Sequence, residues 1–340
     1  MLPALEFQPI FKRLRWGGER LGTLLKKPIG PHRDYAESWE IADHGEDQSI
    51  VVDGPFAGWT LHQLVRAQSA PLLGRHAGAA RFPLLVKYLD AHDRLSVQVH
   101  PNDVQAARFG LNERGKTEAW VILQADPGSR LYVGLNRGVD RRGLEDAVAR
   151  GTVEECLHSI PVAAGDCVHV PAGTVHAIGE GIVLAEIQQS SDLTFRLYDW
   201  GRVGSDGRPR PLHIAEALAC TDFARGPVDA VTPKVVESPG ASLRSSPGHP
   251  VPDGGRVEEL VRNRYFELRR HVSAAAIAIP REDRFRVLML LGGDAELACG
   301  TRRRDFSFGT TLLLPASAAE THAVPKAGCG EITLLEAYVP

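Results

Sequence analysis

The sequence predicts an all-β sandwich or jelly roll carrying small helical insertions, and three observations lead there. Apolar and polar residues alternate over short stretches such as LSVQVH (residues 95–100), where Leu95, Val97 and Val99 fall on one strand face and Ser96, Gln98 and His100 on the other. Short apolar runs such as AWVIL (119–123) and LLVKYL (84–89) read as buried strands. Helical periodicity is confined to a few brief segments.

Length and charge bound the function. At 340 residues the chain is long enough for two domains with separate cores. The 39 basic and 42 acidic residues leave a formal net charge of −3, which points to small-molecule work and away from nucleic-acid or membrane partners. Five scattered cysteines without a C-x-x-C pair argue against a disulfide framework or a zinc knuckle and fit a reducing compartment. The opening MLPALEFQPIFKRLRW lacks the apolar core of a signal peptide and no run approaches membrane-span length, so a cytoplasmic protein is expected.

Taken in order, residues 1–43 are rich in glycine and aromatic residues and read as short strands and turns. Thr60 ahead of Leu61, Leu64 and Val65 has the form of an N-cap, and the spacing predicts a small helical region over residues 60–76. Strand resumes at 83–90. Asn102 or Asp103 caps a short helix through Arg108, and helices over 143–150 and 153–158 follow, the second with Thr152 and Glu155 in the arrangement of a capping box. Residues 227–255 hold six prolines and four glycines and read as a linker or long loop. Beyond it, strands are expected at 265–272, 275–278, 286–291, 295–298, 310–314 and 332–338.

Four side chains stand out chemically. The polar face of residues 95–100 sets Gln98 beside His100; Glu118 stands where the AWVIL strand begins; His176 follows a PAG turn after the short strand CVHV. Separate strands can thus bring two imidazoles, a carboxylate and an amide to one point, a nitrogen and oxygen set without sulfur. It suits one Zn²⁺ per chain and also accepts Mn²⁺, Co²⁺ or Fe²⁺, with a position open for water or substrate. Against this stands the ordinary role of a lone histidine as a hydrogen-bonded structural residue, and Gln98 is either a ligand or the support of one. His92, His158, His169 and His213 are read as structural. The C-terminal strands form a worn copy of this block, since FRVLMLLGG echoes AWVILQADPG and GTTLLLPASAAETHAV echoes GDCVHVPAGTVHAI. Glu320 stands at the place corresponding to His176 and Arg284 near that of Glu118, so the copy is expected to hold no metal. The expected division is a metal-binding domain at 1–226, a linker at 227–255 and a metal-free domain at 256–340.

The phrases LSVQVHPND (95–103), GKTEAW (115–120) and VPAGTVHAIGEGIVLAEIQQSSDLTFRLYDW (170–200) resemble those of type I mannose-6-phosphate isomerases, the metal-dependent phosphomannose isomerases built on a cupin jelly roll, in their short bacterial form. A WGG near the start, ESWEIAD (37–43), FPLLVKYLDA (82–91), GTVEECLHSIPVAAGD (151–166) and RPLHIAEAL (210–218) are similar in the same order. The resemblance implies a cupin jelly roll; the worn C-terminal copy is read as a degenerate cupin-like domain after it, with an unrelated β domain as the alternative. The resemblance also implies interconversion of mannose 6-phosphate and fructose 6-phosphate through an enediol(ate) whose charge needs a cation beside it. It implies a sugar phosphate as the only partner and leaves monomer or oligomer open. Residue by residue, it implies Arg196 as a positive charge over the reacting oxygens, Glu186 as proton carrier, and Lys87 and Ser96 as phosphate contacts; Lys116, two residues from Glu118 and so on the same side of an extended segment, is read as stabilising the developing charge or orienting a ring oxygen, with a solvated lysine as the alternative. Alternatives stay open at this level: Arg196 in a salt bridge to Asp192 or Asp199, Glu186 as support for a ligand histidine, and Lys87 as an edge gatekeeper. A sugar-phosphate-binding cupin without turnover, in a regulatory or accessory role, is the alternative function. An oxygenase-type cupin gives Lys116 and Arg196 no use.

Overall fold

In the computed structural model, which describes residues 1–110, 113–203, 207–236 and 255–340, the alternation resolves into two antiparallel sandwiches. The first joins a six-stranded sheet, ordered Ile10–Gly18, Tyr35–Ile41, Leu84–Ala91, Ile182–Gln189, Glu118–Ala125 and Cys167–Val170, to a five-stranded sheet, ordered Phe195–Tyr198, Val97–Val99, His176–Ile178, Arg130–Leu135 and Leu157–Pro161. The second repeats the plan. Its six-stranded sheet runs Lys234–Val236, Arg256–Arg262, Glu267–Ser273, Ile332–Tyr338, Arg286–Gly292 and Thr311–Leu314, and its four-stranded sheet runs Ile277–Ile279, Thr321–Pro325, Asp294–Cys299 and Arg302–Ser307.

The two six-stranded sheets are buried on both faces, which explains their near-continuous apolar runs. In Ile182–Gln189, Ile182 and Leu184 fill the first sandwich with Trp120 and Ile122, whereas Val183, Ala185 and Ile187 join Leu268, Val287, Met289, Leu335 and Ala337 in a layer shared with the second. Leu5 pairs with Leu313 and Gly74 with Arg284, so the N-terminal segment also pairs with the C-terminal block. Period-two alternation then puts Lys87, Glu118, Trp120, Glu186 and Gln188 on the inward face: Glu186 lies opposite Lys87 on one side and Trp120 on the other, and Gln188 opposite Glu118.

Local rules place the helices. Thr60 caps Leu61–Ala67 in a full capping box with Gln63, and Pro71, which has no N–H to continue that helix, falls inside the separate turn Ser69–Leu73. Asn102 caps Asp103–Arg108 in the same way with Gln105, and Asp140 caps Arg141–Arg150. The helix expected over 153–158 is a 3₁₀ turn, Val153–Cys156, without a side-chain cap from Thr152. Leu157 and Ile160 are drawn instead into a strand opposite Leu135 and Leu131. Of the expected linker, residues 237–254 lie outside the described residues, and Lys234–Val236 forms an edge strand against Arg256–Arg262. Three further strands, Arg256–Arg262, Arg302–Ser307 and Thr321–Pro325, were hidden by charge and small residues on their solvent faces. Register also corrects one correspondence. Val170 pairs with Glu118 and Leu314 with Arg286, so Arg286, not Arg284, stands where the first sandwich has Glu118.

Candidate active site

Glu118 opens the Glu118–Ala125 strand and His176 opens His176–Ile178, while Gln98 lies opposite His176 in the neighbouring strand and His100 follows two residues later. Ligating atoms of His100, Glu118 and His176 all lie within 4.8 Å of one another, and all three residues are buried. His100 Nδ1 donates to the Leu193 carbonyl at 2.8 Å and His176 Nδ1 to the Thr174 carbonyl at 2.9 Å, which leaves both Nε2 lone pairs facing inward. They meet the carboxylate: His100 Nε2 is 3.6 Å from Glu118 Oε2 and His176 Nε2 is 3.3 Å from Glu118 Oε1. The Gln98 amide is 3.3 Å from His176 Nε2. Burial, reinforced by Lys116 and the other imidazole, holds His100 far below its ordinary pKa, and burial lowers His176 to about 4, so both rings are neutral near pH 7.

Lone pairs pointed at a carboxylate repel unless a cation lies between them. His100 Nε2 and both Glu118 oxygens are buried without a hydrogen-bond partner. The residues therefore fit a divalent metal with nitrogen and oxygen ligands. Lys116 adds a fixed charge, its Nζ 3.0 Å from Glu118 Oε2. Burial opposes that charge, yet Glu118 and then Glu186 outweigh it and hold the lysine pKa above its usual value.

A second group lies on the same inward face. Lys87 is 2% exposed, and its Nζ is 3.1 Å from Glu37, 3.5 Å from Asp192 and 3.7 Å from Glu186, and 4.5 Å from the centre of the Trp39 ring. Glu186 accepts from Trp120 Nε1 at 3.0 Å, and burial together with Glu118 raises its pKa above the ordinary glutamate value. Lys87 is thus an interior countercharge to three carboxylates and not an edge gatekeeper.

The third group lies along the strand edge. Arg196 stands opposite Gln98 in register, and its side chain turns to Ser96, with Nε 3.2 Å from Ser96 Oγ and Nη1 donating to the Pro211 carbonyl at 3.0 Å. It pairs with neither Asp192, which faces Lys87, nor Asp199, which is held by Arg202 and Arg210. Desolvation, then the like charge of Arg210, lowers its pKa. A half-buried guanidinium whose side-chain hydrogen bonds among the described residues go to neutral groups is suited to receive an anion.

The expected site residues thus fall into three groups: Gln98, His100, Glu118 and His176 with Lys116; Lys87 with Glu186; Ser96 with Arg196. Sequence reasoning missed Glu37, Asp192 and Trp120. Glu37 alternates with Trp39 in ESWEI, and its carboxylate accepts from Trp39 Nε1 at 2.6 Å and faces Lys87 Nζ at 3.1 Å; the two-residue spacing to Trp39 was the available signal. His158 bonds Asp229 and His213 accepts from the Arg196 amide, while His169 meets Asn263 of the second sandwich.

Residues 5–121 match the family described as phosphomannose isomerase type I, catalytic domain. The chain is 33% identical over 325 residues to mannose-6-phosphate isomerase ManA of Bacillus subtilis, covering 96% of this chain and 97% of that one. It is 33% identical over 303 residues to the mannose-6-phosphate isomerase of Streptococcus mutans, covering 88% of each. Its fold superposes on the crystal structure of the mannose 6-phosphate isomerase from Bacillus subtilis with a TM-score of 0.86 at 26% identity over 99% of both chains. The apo mannose 6-phosphate isomerase from Salmonella typhimurium shares the fold, with a TM-score of 0.71 at 16% identity over 100% of both chains.

Proposed function

This chain belongs to the type I mannose-6-phosphate isomerases, cupin-type enzymes, and from that membership we infer its reaction, the interconversion of mannose 6-phosphate and fructose 6-phosphate at a metal centre. The observation that carries the reading at the level of chemistry is the buried set His100, Glu118 and His176, in which His100 Nε2 and both Glu118 oxygens have no hydrogen-bond partner. We assign these three as metal ligands, with Gln98 as a fourth donor through its carbonyl oxygen. Two imidazoles and a carboxylate without sulfur favour Zn²⁺, and Mn²⁺, Co²⁺ and Fe²⁺ are compatible. An ion held by these residues would supply positive charge beside the developing enediolate.

The remaining steps belong to side chains. Glu186 takes the proton from C2 of the aldose and returns it to C1, a role favoured by its raised pKa and by the Trp120 hydrogen bond that fixes its carboxylate. Lys87 balances Glu186, Glu37 and Asp192, which supports a positioning role over the phosphate contact first expected of it. Lys116 points its ammonium at the centre and stabilises the developing charge. Ser96 and Arg196 receive the phosphate. Ser96 lies one pleat repeat, about 7 Å, from Gln98 along the strand, which is comparable to the reach of a six-carbon chain. Arg196 thereby moves from the reacting oxygens to the phosphate end. Residues 1–226 hold this machinery in our reading, residues 256–340 form the metal-free partner domain, and the working location is the cytoplasm. A coupled assay on mannose 6-phosphate tests the function: turnover that chelator abolishes and added Zn²⁺ restores is expected, and metal-replete protein without turnover overturns it.

A further inference from the structure

The second sandwich reaches the loop that carries Lys116. At the tip between strands Arg256–Arg262 and Glu267–Ser273, the Tyr265 hydroxyl donates to Asp103 Oδ2 at 2.8 Å. Asn263 shapes that tip, its Oδ1 accepting from the Tyr265 amide at 2.8 Å and the Phe266 amide at 3.0 Å, while its Nδ2 meets His169 Nε2 at 3.2 Å. The other Asp103 oxygen, Oδ1, accepts from the Gly115 amide at 2.9 Å and from Gln189 Nε2 at 3.1 Å. Gln189 Oε1 accepts in turn from the Thr117 amide at 3.0 Å, and the Lys116 amide donates to the Pro101 carbonyl at 3.0 Å.

Every backbone N–H from 115 to 117 is therefore tied, and two of the three ties run to Asp103 directly or through Gln189. The approach is close: a Cβ on Gly115 would lie 2.5 Å from the Asp103 nitrogen, so only glycine lets the loop pack there. Lys116 has four rotatable bonds and, among the described residues, one short-range partner, Glu118, so the aim of its ammonium depends on where this backbone is held.

We propose that Tyr265 is a positioning residue for the isomerase reaction, acting through Asp103 on the backbone that aims Lys116, so that the C-terminal domain contributes to turnover as well as to packing. The inference rests on the assignment of Lys116 to the developing charge. Misplacing such a group by a fraction of an ångström is costly in rate while leaving ground-state binding nearly intact.

The test compares metal-replete, full-length wild type, Tyr265→Phe, Lys116→Ala and the double variant by kcat, KM for mannose 6-phosphate, metal content and melting temperature. Tyr265→Phe is expected to lower kcat by about tenfold with KM within about twofold and metal and melting unchanged; in the Lys116→Ala background it should cost nothing further. A wild-type kcat in Tyr265→Phe while Lys116→Ala is impaired overturns this proposal alone. So does an additive loss in the double variant, or a loss that tracks metal content or melting. A wild-type kcat in Lys116→Ala overturns the assignment of Lys116 and this coupling together.

Discussion

His100 and His176 each commit one ring nitrogen to a backbone carbonyl and present the other to Glu118, so losing either ring removes one of the three proposed ligands. His176→Ala should therefore drop metal content, read by elemental analysis, well below one ion per chain; full occupancy would strike it from the ligand set. The cations divide by kinetics. Lys116→Ala should lower kcat by about 10²-fold, roughly 3 kcal/mol of transition-state stabilisation, with little change in KM. Arg196→Ala should raise KM about tenfold or more with kcat changed only a few-fold, because a phosphate contact is made equally in ground and transition states. The reverse pattern in steady-state kinetics would return Arg196 to the chemistry.

At the scale of elements, the turn before the His176 strand couples the two proposed ligands His100 and His176. The Gly173 amide donates to the His100 carbonyl at 2.8 Å, and Gly173 sits at φ +85°, with a built Cβ 3.1 Å from the Cys220 carbonyl oxygen. Gly173→Ala should cost about 1–2 kcal/mol, lower the melting temperature by a few degrees and weaken metal retention. Thermal melts with and without metal check this, and an unchanged pair of melting temperatures would show that the turn relaxes freely. Much of this scale was legible: the Thr60 and Asn102 caps follow from residues three positions apart. The misplaced helix at 153–158 was not, because strand pairing outweighed its capping pattern.

Over the whole molecule, the layer between the six-stranded sheets draws on both halves of the chain, so unfolding should appear as one calorimetric transition. Where the first sandwich has Glu118, the second has Arg286, ion-paired to the buried Glu336, which also accepts from His271 at 2.9 Å. Burial opposes the Glu336 charge, but His271 and Arg286 outweigh it and hold the carboxyl below its ordinary 4.5. A folded pKa below the unfolded one means this stabilisation is full above about pH 4.5 and is lost as pH falls through the folded value. Glu336→Gln should therefore cost about 2–3 kcal/mol near neutral pH, by leaving the buried Arg286 with only the exposed Glu282, 3.3 Å away, as a carboxylate partner, and much less in acid. Denaturant melts at both pH values test it; an equal penalty at both would remove the linkage.

The sequence by itself determined what depends on near neighbours. Strand faces follow from a period of two, so Ser96, Gln98 and His100 could be assigned to one side, and the ligand chemistry followed from residue type. Tertiary structure alone decided which distant groups meet. Lys87 gains Glu37, Glu186 and Asp192 from three separate segments, Ser96 gains Arg196 across a hundred residues, and Asp103 gains Tyr265 from the other sandwich. The reason is that alternation and capping are set by covalent spacing, whereas these electrostatic partners are set by strand register and sheet packing, which a single strand does not encode alone.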